Sequence, residues 1–178
     1  MKKHTANDIT RFLHQHASRV THAVTLHTRY RPYQKSERGL KRIVELAKTD
    51  FRHFRNCLNK ELYGPRARRK PLQYQPLILA LLEGTKRTTD RRLTLHYHLA
   101  LGNLPPGMSD SELFAILHRC WVDRAHQRND TDCQRTCRHR KGAAGWIRYS
   151  TKEVREKGNL AAWDFENTQI PYAAFGAG

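Results

Sequence analysis

The segment RRLTLHYHLALGNLPPG, residues 91–107, carries two histidines inside an apolar run that alternates in the manner of a β-strand. PLILALLEG (76–84) precedes it as another strand candidate, with the polar stretch TKRTTDR between the two. Two strands joined in this way predict an antiparallel hairpin whose loop is longer than the minimum. His96 and His98 should therefore lie on the second strand of that hairpin.

Strand-like and helix-like patterns alternate along the rest of the chain. THAVTLHTRY (21–30) alternates and is rich in β-branched residues, which predicts the first strand. A short strand within 125–141 and a last strand near Phe165 to Ile170 are also expected. Apolar spacing, capping residues and glycine stops predict helices around Ile9 to Ala17, from Ser36 to Leu62, after the capping box of Ser109 and Glu112, and over 141–158, ended by Gly158.

Length and charge limit the class of protein. A chain of 178 residues suits one domain, with a core of about 20–170 after an N-terminal extension of about 1–19. Lys and Arg outnumber Asp and Glu by 33 to 16, which gives a formal net charge of +17. This excess favours a polyanionic partner, and nucleic acid is the first candidate.

The composition also bears on the compartment. No apolar stretch approaches the roughly 20 residues that cross a bilayer, and MKKHTANDITRFLHQHASR at the N-terminus lacks the apolar segment of a secretory signal. We therefore expect a cytoplasmic protein without a membrane partner. The four cysteines are irregularly spaced, and we expect them to remain thiols.

The histidine pair is a candidate metal site. Side chains two apart on a strand point to the same face, so His96 and His98 present two imidazoles side by side. Glu83 is the only carboxylate on the preceding strand, and the hairpin can bring it opposite the pair. Two imidazoles and one carboxylate with open positions suit Mg²⁺ or Mn²⁺ acting on a phosphodiester better than a closed zinc site. His27 is a weaker fourth candidate, and chance pairing in a chain with eleven histidines is the alternative.

The helix over 141–158 carries a second candidate group. At about 100° per residue, Tyr149 and Lys152 are neighbours on the side opposite Ile147 and Val154. A phenol can attack a phosphodiester and form a covalent phosphotyrosine, although at its ordinary pKa of about 10 it is rarely ionised at neutral pH. A nearby ammonium and a metal ion on the scissile phosphate would both assist it. Taken alone, this pair is more often an exposed surface feature.

Together these parts resemble the HUH endonuclease superfamily, named for His-hydrophobe-His, and in particular its single-tyrosine replication initiators of rolling-circle plasmids and phages. HAVTLHTRY resembles the first-strand motif, LLEGTKRTTDRRLTLHYHLALGNLPPG the metal hairpin, and GAAGWIRYSTKE the nucleophile helix. The motifs occur in the family's order and span most of residues 21–157. The resemblance implies an α+β, HUH/RRM-like fold, in which helices pack on a central antiparallel sheet of about five strands.

The same resemblance implies an activity and roles. The family nicks single-stranded DNA at an origin, often presented on a hairpin, and later rejoins strands. His96, His98 and Glu83 would be metal ligands, Tyr149 the nucleophile and Lys152 its helper. The chain has no Gly-x-x-x-x-Gly-Lys-Ser/Thr motif, so unwinding would require a host helicase.

Several further assignments stay open. Tyr97 and Trp146 are candidates for base stacking, with core packing as the alternative. A transposase or a relaxase would share the chemistry, and a basic RNA-binding or DNA-binding module without catalysis fits the charge equally well. A zinc site could use Cys133 and Cys137 with Cys120 or His139, although Cys-x-x-x-Cys is not a strong zinc pattern. The arginines that flank the proposed site and could hold a DNA backbone are Arg29, Arg31, Arg87, Arg91 and Arg92.

Overall fold

A computed structural model describes residues 5–86, 88–138 and 141–172 as an α+β fold built on one antiparallel sheet. The strands are β1 (Val20–His27), β2 (Leu77–Glu83), β3 (His96–Gly102) and β4 (Thr131–Arg135). The α-helices are α1 (Ala6–His14), α2 (Glu37–Tyr63), α3 (Arg66–Arg69), α4 (Asp110–His118), α5 (Gly142–Ser150) and α6 (Lys152–Lys157). Short 3₁₀ turns at Ala17–Arg19, Thr136–Arg138 and Leu160–Ala162 and a π-helical turn at Arg119–Arg124 complete the elements.

The sheet has the strand order β2-β3-β1-β4 with every neighbouring pair antiparallel. The predicted hairpin is confirmed, because β2 pairs with β3 along its whole length and Glu83 lies opposite His96. β3 starts later than predicted, at His96. The first strand likewise ends at His27, where the Thr28 hydroxyl donates a hydrogen bond to the Leu95 carbonyl (2.7 Å).

Helices cover both faces of the sheet. The long helix α2 and helix α4 pack on one face, where Phe51, Phe54 and Trp121 surround Tyr97 of β3. Helices α1 and α5 pack on the other face against alternate residues of β2 and β3. Because β2 is covered on both sides, all seven of its residues are buried, including Glu83. The face that carries α5 is the face to which His96 and His98 point.

The prediction of a fifth strand near Phe165 to Ile170 is wrong. Within the described residues the sheet has four strands. The segment after Leu160–Ala162 does run along the free edge of β2, but it pairs only at Trp163 and Gln169. Between these two points the chain turns, because the buried Asp164 side chain accepts hydrogen bonds from the Tyr97 hydroxyl (2.8 Å) and the Asn167 amide (2.7 Å). This polar turn interrupts a continuous ladder. The short strand expected within 125–141 is present as β4.

The helix predicted over 141–158 is present as two helices that break at Thr151. The Thr151 hydroxyl bonds back to the carbonyl of Ile147 (2.8 Å), a local hydrogen bond that competes with regular helix geometry. The capping box of Ser109 and Glu112 is confirmed. Within the described ranges, none of the helices is long and apolar enough to cross a membrane.

Candidate functional site

Glu83, His96 and His98 meet at one end of the β2–β3 hairpin. One ligand atom from each residue can be chosen so that all three lie within 4.8 Å of one another. The Glu83 Oε2 atom lies 3.4 Å from His96 Nε2 and 3.5 Å from His98 Nε2. The register explains the meeting, because Glu83 pairs with His96 across the ladder and His98 lies two residues further along the same face.

The outer nitrogens of both imidazoles are held by hydrogen bonds. His96 Nδ1 lies 3.1 Å from the backbone carbonyl of Thr94, which can only accept, so the Nδ1 proton points away from the carboxylate. His96 Nε2, on the other side of the ring, faces Glu83 Oε2. His98 Nδ1 lies 3.2 Å from the Thr25 hydroxyl on β1, which also fixes the ring. Such outer contacts orient histidine ligands in metal sites.

Two polar atoms of the group are buried without a partner. Glu83 and His98 are 3% and 4% exposed, and Glu83 Oε1 and His98 Nε2 have no hydrogen-bond partner among the described residues. Leaving such atoms unpaired costs free energy that a bound cation would recover. The residue types and the geometry of this group therefore allow it to bind a metal ion.

The electrostatics favour the ligand forms of these residues. Burial raises the pKa of the Glu83 carboxyl, but His96, His98 and the ammonium of Lys152 outweigh it and hold that pKa well below its usual range. Burial lowers the pKa of His98, and the attraction of Glu83 offsets this only in part. At neutral pH the group thus combines an ionised carboxylate with a neutral His98, the protonation states in which both bind metal.

Helix α5 brings Tyr149 to the same place. The Trp146 indole N–H donates a hydrogen bond to the Leu99 carbonyl of β3 (2.8 Å), which ties the helix to the histidine strand. The Tyr149 ring centre lies 5.2 Å from that of His98 and 5.5 Å from that of Trp146. Tyr149 is 49% exposed, so its phenol lies beside the buried group and remains accessible from solution.

Lys152, at the start of α6, connects the tyrosine to the carboxylate. Its Nζ atom lies 2.9 Å from Glu83 Oε2 and 4.2 Å from the ring centre of Tyr149. Burial lowers the pKa of this ammonium, but Glu83 and Tyr149 outweigh burial and raise it overall. Lys152 is therefore a cation at the site under all ordinary conditions.

His27 lies beside this group without joining it. Its ring stacks on that of His96, with centres 5.2 Å apart, and its Nδ1 atom contacts the Thr94 hydroxyl at 3.2 Å. Burial lowers its pKa. The sequence analysis did not predict Thr25 and Thr94, whose hydroxyls contact the rings of His98 and His27. Each threonine lies two residues before a histidine, which is the spacing that could have identified it.

Four of the five flanking arginines lie on two loops that meet at this end of the sheet, where a bridge joins Tyr33 and Thr88. Arg91 donates a hydrogen bond to the Tyr33 hydroxyl (3.0 Å), whereas Arg29 faces away toward Tyr30 and Asp50. Arg31 and Arg92 are exposed. Arg87 lies outside the described residues.

Tyr97 and Trp146 are core residues. Tyr97 is fully buried and Trp146 is 5% exposed, so neither ring is available to stack on a base.

The cysteines do not form a comparable group. All four lie in the described ranges as free thiols, and Glu83, His96 and His98 are the one metal-compatible group found there. Burial raises the pKa of Cys120 and of Cys133 to about 12, which disfavours the thiolates that zinc requires. The proposed partner His139 lies outside the described residues.

Comparison with known proteins identifies no relative: no family model, curated protein or solved structure matches the chain.

Proposed function

We propose that this chain is a metal-dependent, site-specific endonuclease and strand transferase of single-stranded DNA. It nicks an origin through a 5′-phosphotyrosine intermediate on Tyr149 and so initiates rolling-circle replication. The observation that carries the proposal is the approach of the accessible Tyr149 ring to within 5.2 Å of His98, next to the buried group of Glu83, His96 and His98. The motif order that resembles HUH endonucleases supports the same assignment.

The proposed reaction exchanges one phosphate ester for another. The Tyr149 phenolic oxygen forms a bond to the phosphorus, the bond from phosphorus to the 3′ oxygen breaks, and the phenol proton passes to solvent. The departing oxygen takes up a proton and leaves a 3′ hydroxyl that can prime synthesis. Rejoining reverses these steps with a new 3′ hydroxyl as the attacking group.

Each residue of the site has a role in this scheme. Lys152 contacts the Tyr149 ring, so its positive charge would stabilise the negative charge that develops in the transition state. Glu83, His96 and His98 would hold Mg²⁺ or Mn²⁺, since three protein ligands leave positions open for water and phosphate oxygens. Such a cation would polarise the scissile phosphate and stabilise the charge on the leaving oxygen.

The proposed substrate is single-stranded DNA or an origin hairpin, and unwinding would come from a host helicase. The net charge of +17 also supports a second candidate, a basic nucleic-acid-binding module without catalysis. The two functions differ in one property, because only the enzyme forms a covalent bond to DNA.

The test is covalent capture. The protein is incubated with a pool of single-stranded oligonucleotides and Mn²⁺, and denaturing electrophoresis is used to detect a protein–DNA adduct. We expect an adduct with wild type, and we expect none with Tyr149→Phe, which removes only the attacking oxygen. Because Tyr149 is half exposed, this variant should fold and still bind DNA. An equal adduct in both proteins, or none in wild type, would contradict the enzymatic function.

A further inference from the structure

A cavity of about 370 Å³ opens beside Tyr149 on the surface of α5 and α6. Its charged lining consists of Lys141, Arg148, Lys152 and Arg155, with Glu156 as the one carboxylate. The cavity spans the break between α5 and α6 at Thr151, and Tyr149 lines it together with these four cations.

The positive charge of this cavity is not balanced by the protein around it. Lys152 pairs with Glu83, and Arg155 pairs with Glu156 at 3.1 Å. Within the part of the chain that the structure describes, neither Lys141 nor Arg148 forms an ion pair. An excess of cations around one depression favours an anion as its ligand.

Arg155 provides a second indication. Its Nε atom is buried and has no hydrogen-bond partner among the described residues. An unpaired guanidinium donor is costly, and a phosphate oxygen is a ligand that its planar group binds well. The positive field extends to α1, since burial and then the charges of Arg155 and Arg148 lower the pKa of His14.

We propose that this cavity binds a phosphodiester group of the single-stranded DNA, next to the scissile one, with Arg148 and Arg155 as the principal donors. The inference rests on the proposed function, because it takes Tyr149 as the residue that receives the scissile phosphate. It adds a path for the strand, which runs from the tyrosine along α5 and α6. Of the arginines predicted to bind DNA from the sequence, the four that the structure describes, Arg29, Arg31, Arg91 and Arg92, do not line this cavity.

The inference is tested by binding alone, in buffer with EDTA so that no cleavage occurs. A fluorescein-labelled oligodeoxythymidylate is titrated with wild type and with Arg148→Gln/Arg155→Gln over a range of salt concentrations. We expect weaker binding by the double variant and a log–log salt slope shallower by about 0.7, the value for one phosphate contact on a single strand. A strand with uncharged methylphosphonate linkages should bind both proteins equally.

Arg38→Gln/Arg42→Gln is the matched control. These two arginines are exposed on α2, which packs on the opposite face of the sheet, and their replacement removes the same charge. If both double variants weaken DNA binding equally, the effect comes from the overall charge of the protein, and the proposed phosphate site is wrong. So would an unchanged salt slope, or a difference between proteins that persists with the uncharged strand.

Two further measurements separate folding and catalysis from binding. Circular dichroism checks that each variant is folded, and the exposed Arg148→Gln alone should reproduce part of the effect even if Arg155→Gln unfolds the protein. Adduct formation by wild type tests the proposed function independently. An adduct without a specific effect of Arg148 and Arg155 would overturn the phosphate site and leave the nickase assignment intact.

Discussion

Lys152 and Glu83 form an ion pair of 2.9 Å between the start of α6 and the end of β2. The Glu83 side chain is 4% exposed, and the Lys152 side chain is 31% exposed. The pair joins the carboxylate of the metal-compatible group to the helix segment that carries Tyr149. A change of charge at any one of Glu83, Lys152 and Tyr149 should therefore alter the electrostatic environment of the other two.

The first prediction concerns metal binding. His96→Gln/His98→Gln should reduce Mn²⁺ affinity by more than about a hundredfold, because loss of an outer-shell contact alone costs roughly tenfold to a hundredfold. Titration calorimetry should give one ion per wild-type chain. His53→Gln, an exposed change on α2, is the control and should bind like wild type. Unaltered affinity in the double variant would mean that the ion binds elsewhere.

The second prediction concerns Thr25, whose hydroxyl contacts His98 Nδ1. Thr25→Val keeps the shape of the side chain and removes the oxygen, so Mn²⁺ affinity should fall by about tenfold. Thr25→Ser keeps the oxygen and should retain most of the affinity. If valine and serine behave alike in calorimetry, the contact does not orient the ring.

The third prediction concerns Lys152. Lys152→Met removes the ammonium that contacts Tyr149, and the rate of adduct formation at saturating DNA should fall by about a hundredfold. Lys157→Met is the control, since it removes a positive charge on the same helix that pairs with Glu153 at 3.3 Å. If both variants lose adduct-formation rate to a similar degree, the cause is the lower net positive charge and not the contact of Lys152 with Tyr149.

The fourth prediction concerns acid stability without metal. Burial lowers the pKa of His98 below its unfolded value of about 6.5. The unfolded chain therefore binds the proton more readily, and stability falls as the pH decreases through 6.5 toward the folded pKa. His14, His16 and His27 act in the same direction. Thermal melts in EDTA should show a lower melting temperature at pH 5 than at pH 7, and His98→Asn should make this difference smaller.

The fifth prediction concerns the polar turn that covers β2. Tyr97→Phe retains the ring that stacks on Phe51 but removes the hydroxyl that bonds the buried Asp164. The free energy of unfolding should fall by about 1–3 kcal/mol, the cost of an unsatisfied buried polar group. Urea denaturation measures the change. Tyr172→Phe, an exposed phenol, should have almost no effect.

Local sequence determined the elements that depend on near neighbours. The alternation of β1 and β3, the long apolar stripe of α2 and the capping box at Ser109 each follow from interactions within a few residues. The pairing of Glu83 with His96 was also predictable, because a hairpin brings together residues that are close along the chain. Sequence periodicity therefore predicted the metal-compatible part of the candidate site.

Only the tertiary structure decided how distant segments meet. The edge of β2 is covered by a polar turn instead of a fifth strand, because Asp164 finds its partner in Tyr97, far away along the chain. Tyr149 lies beside His98 because the Trp146 indole bonds to the Leu99 carbonyl. The same packing of α5 on the sheet exposes the cationic cavity of Arg148 and Arg155 next to the tyrosine. Such contacts depend on how whole elements dock, which periodicity within one element does not encode.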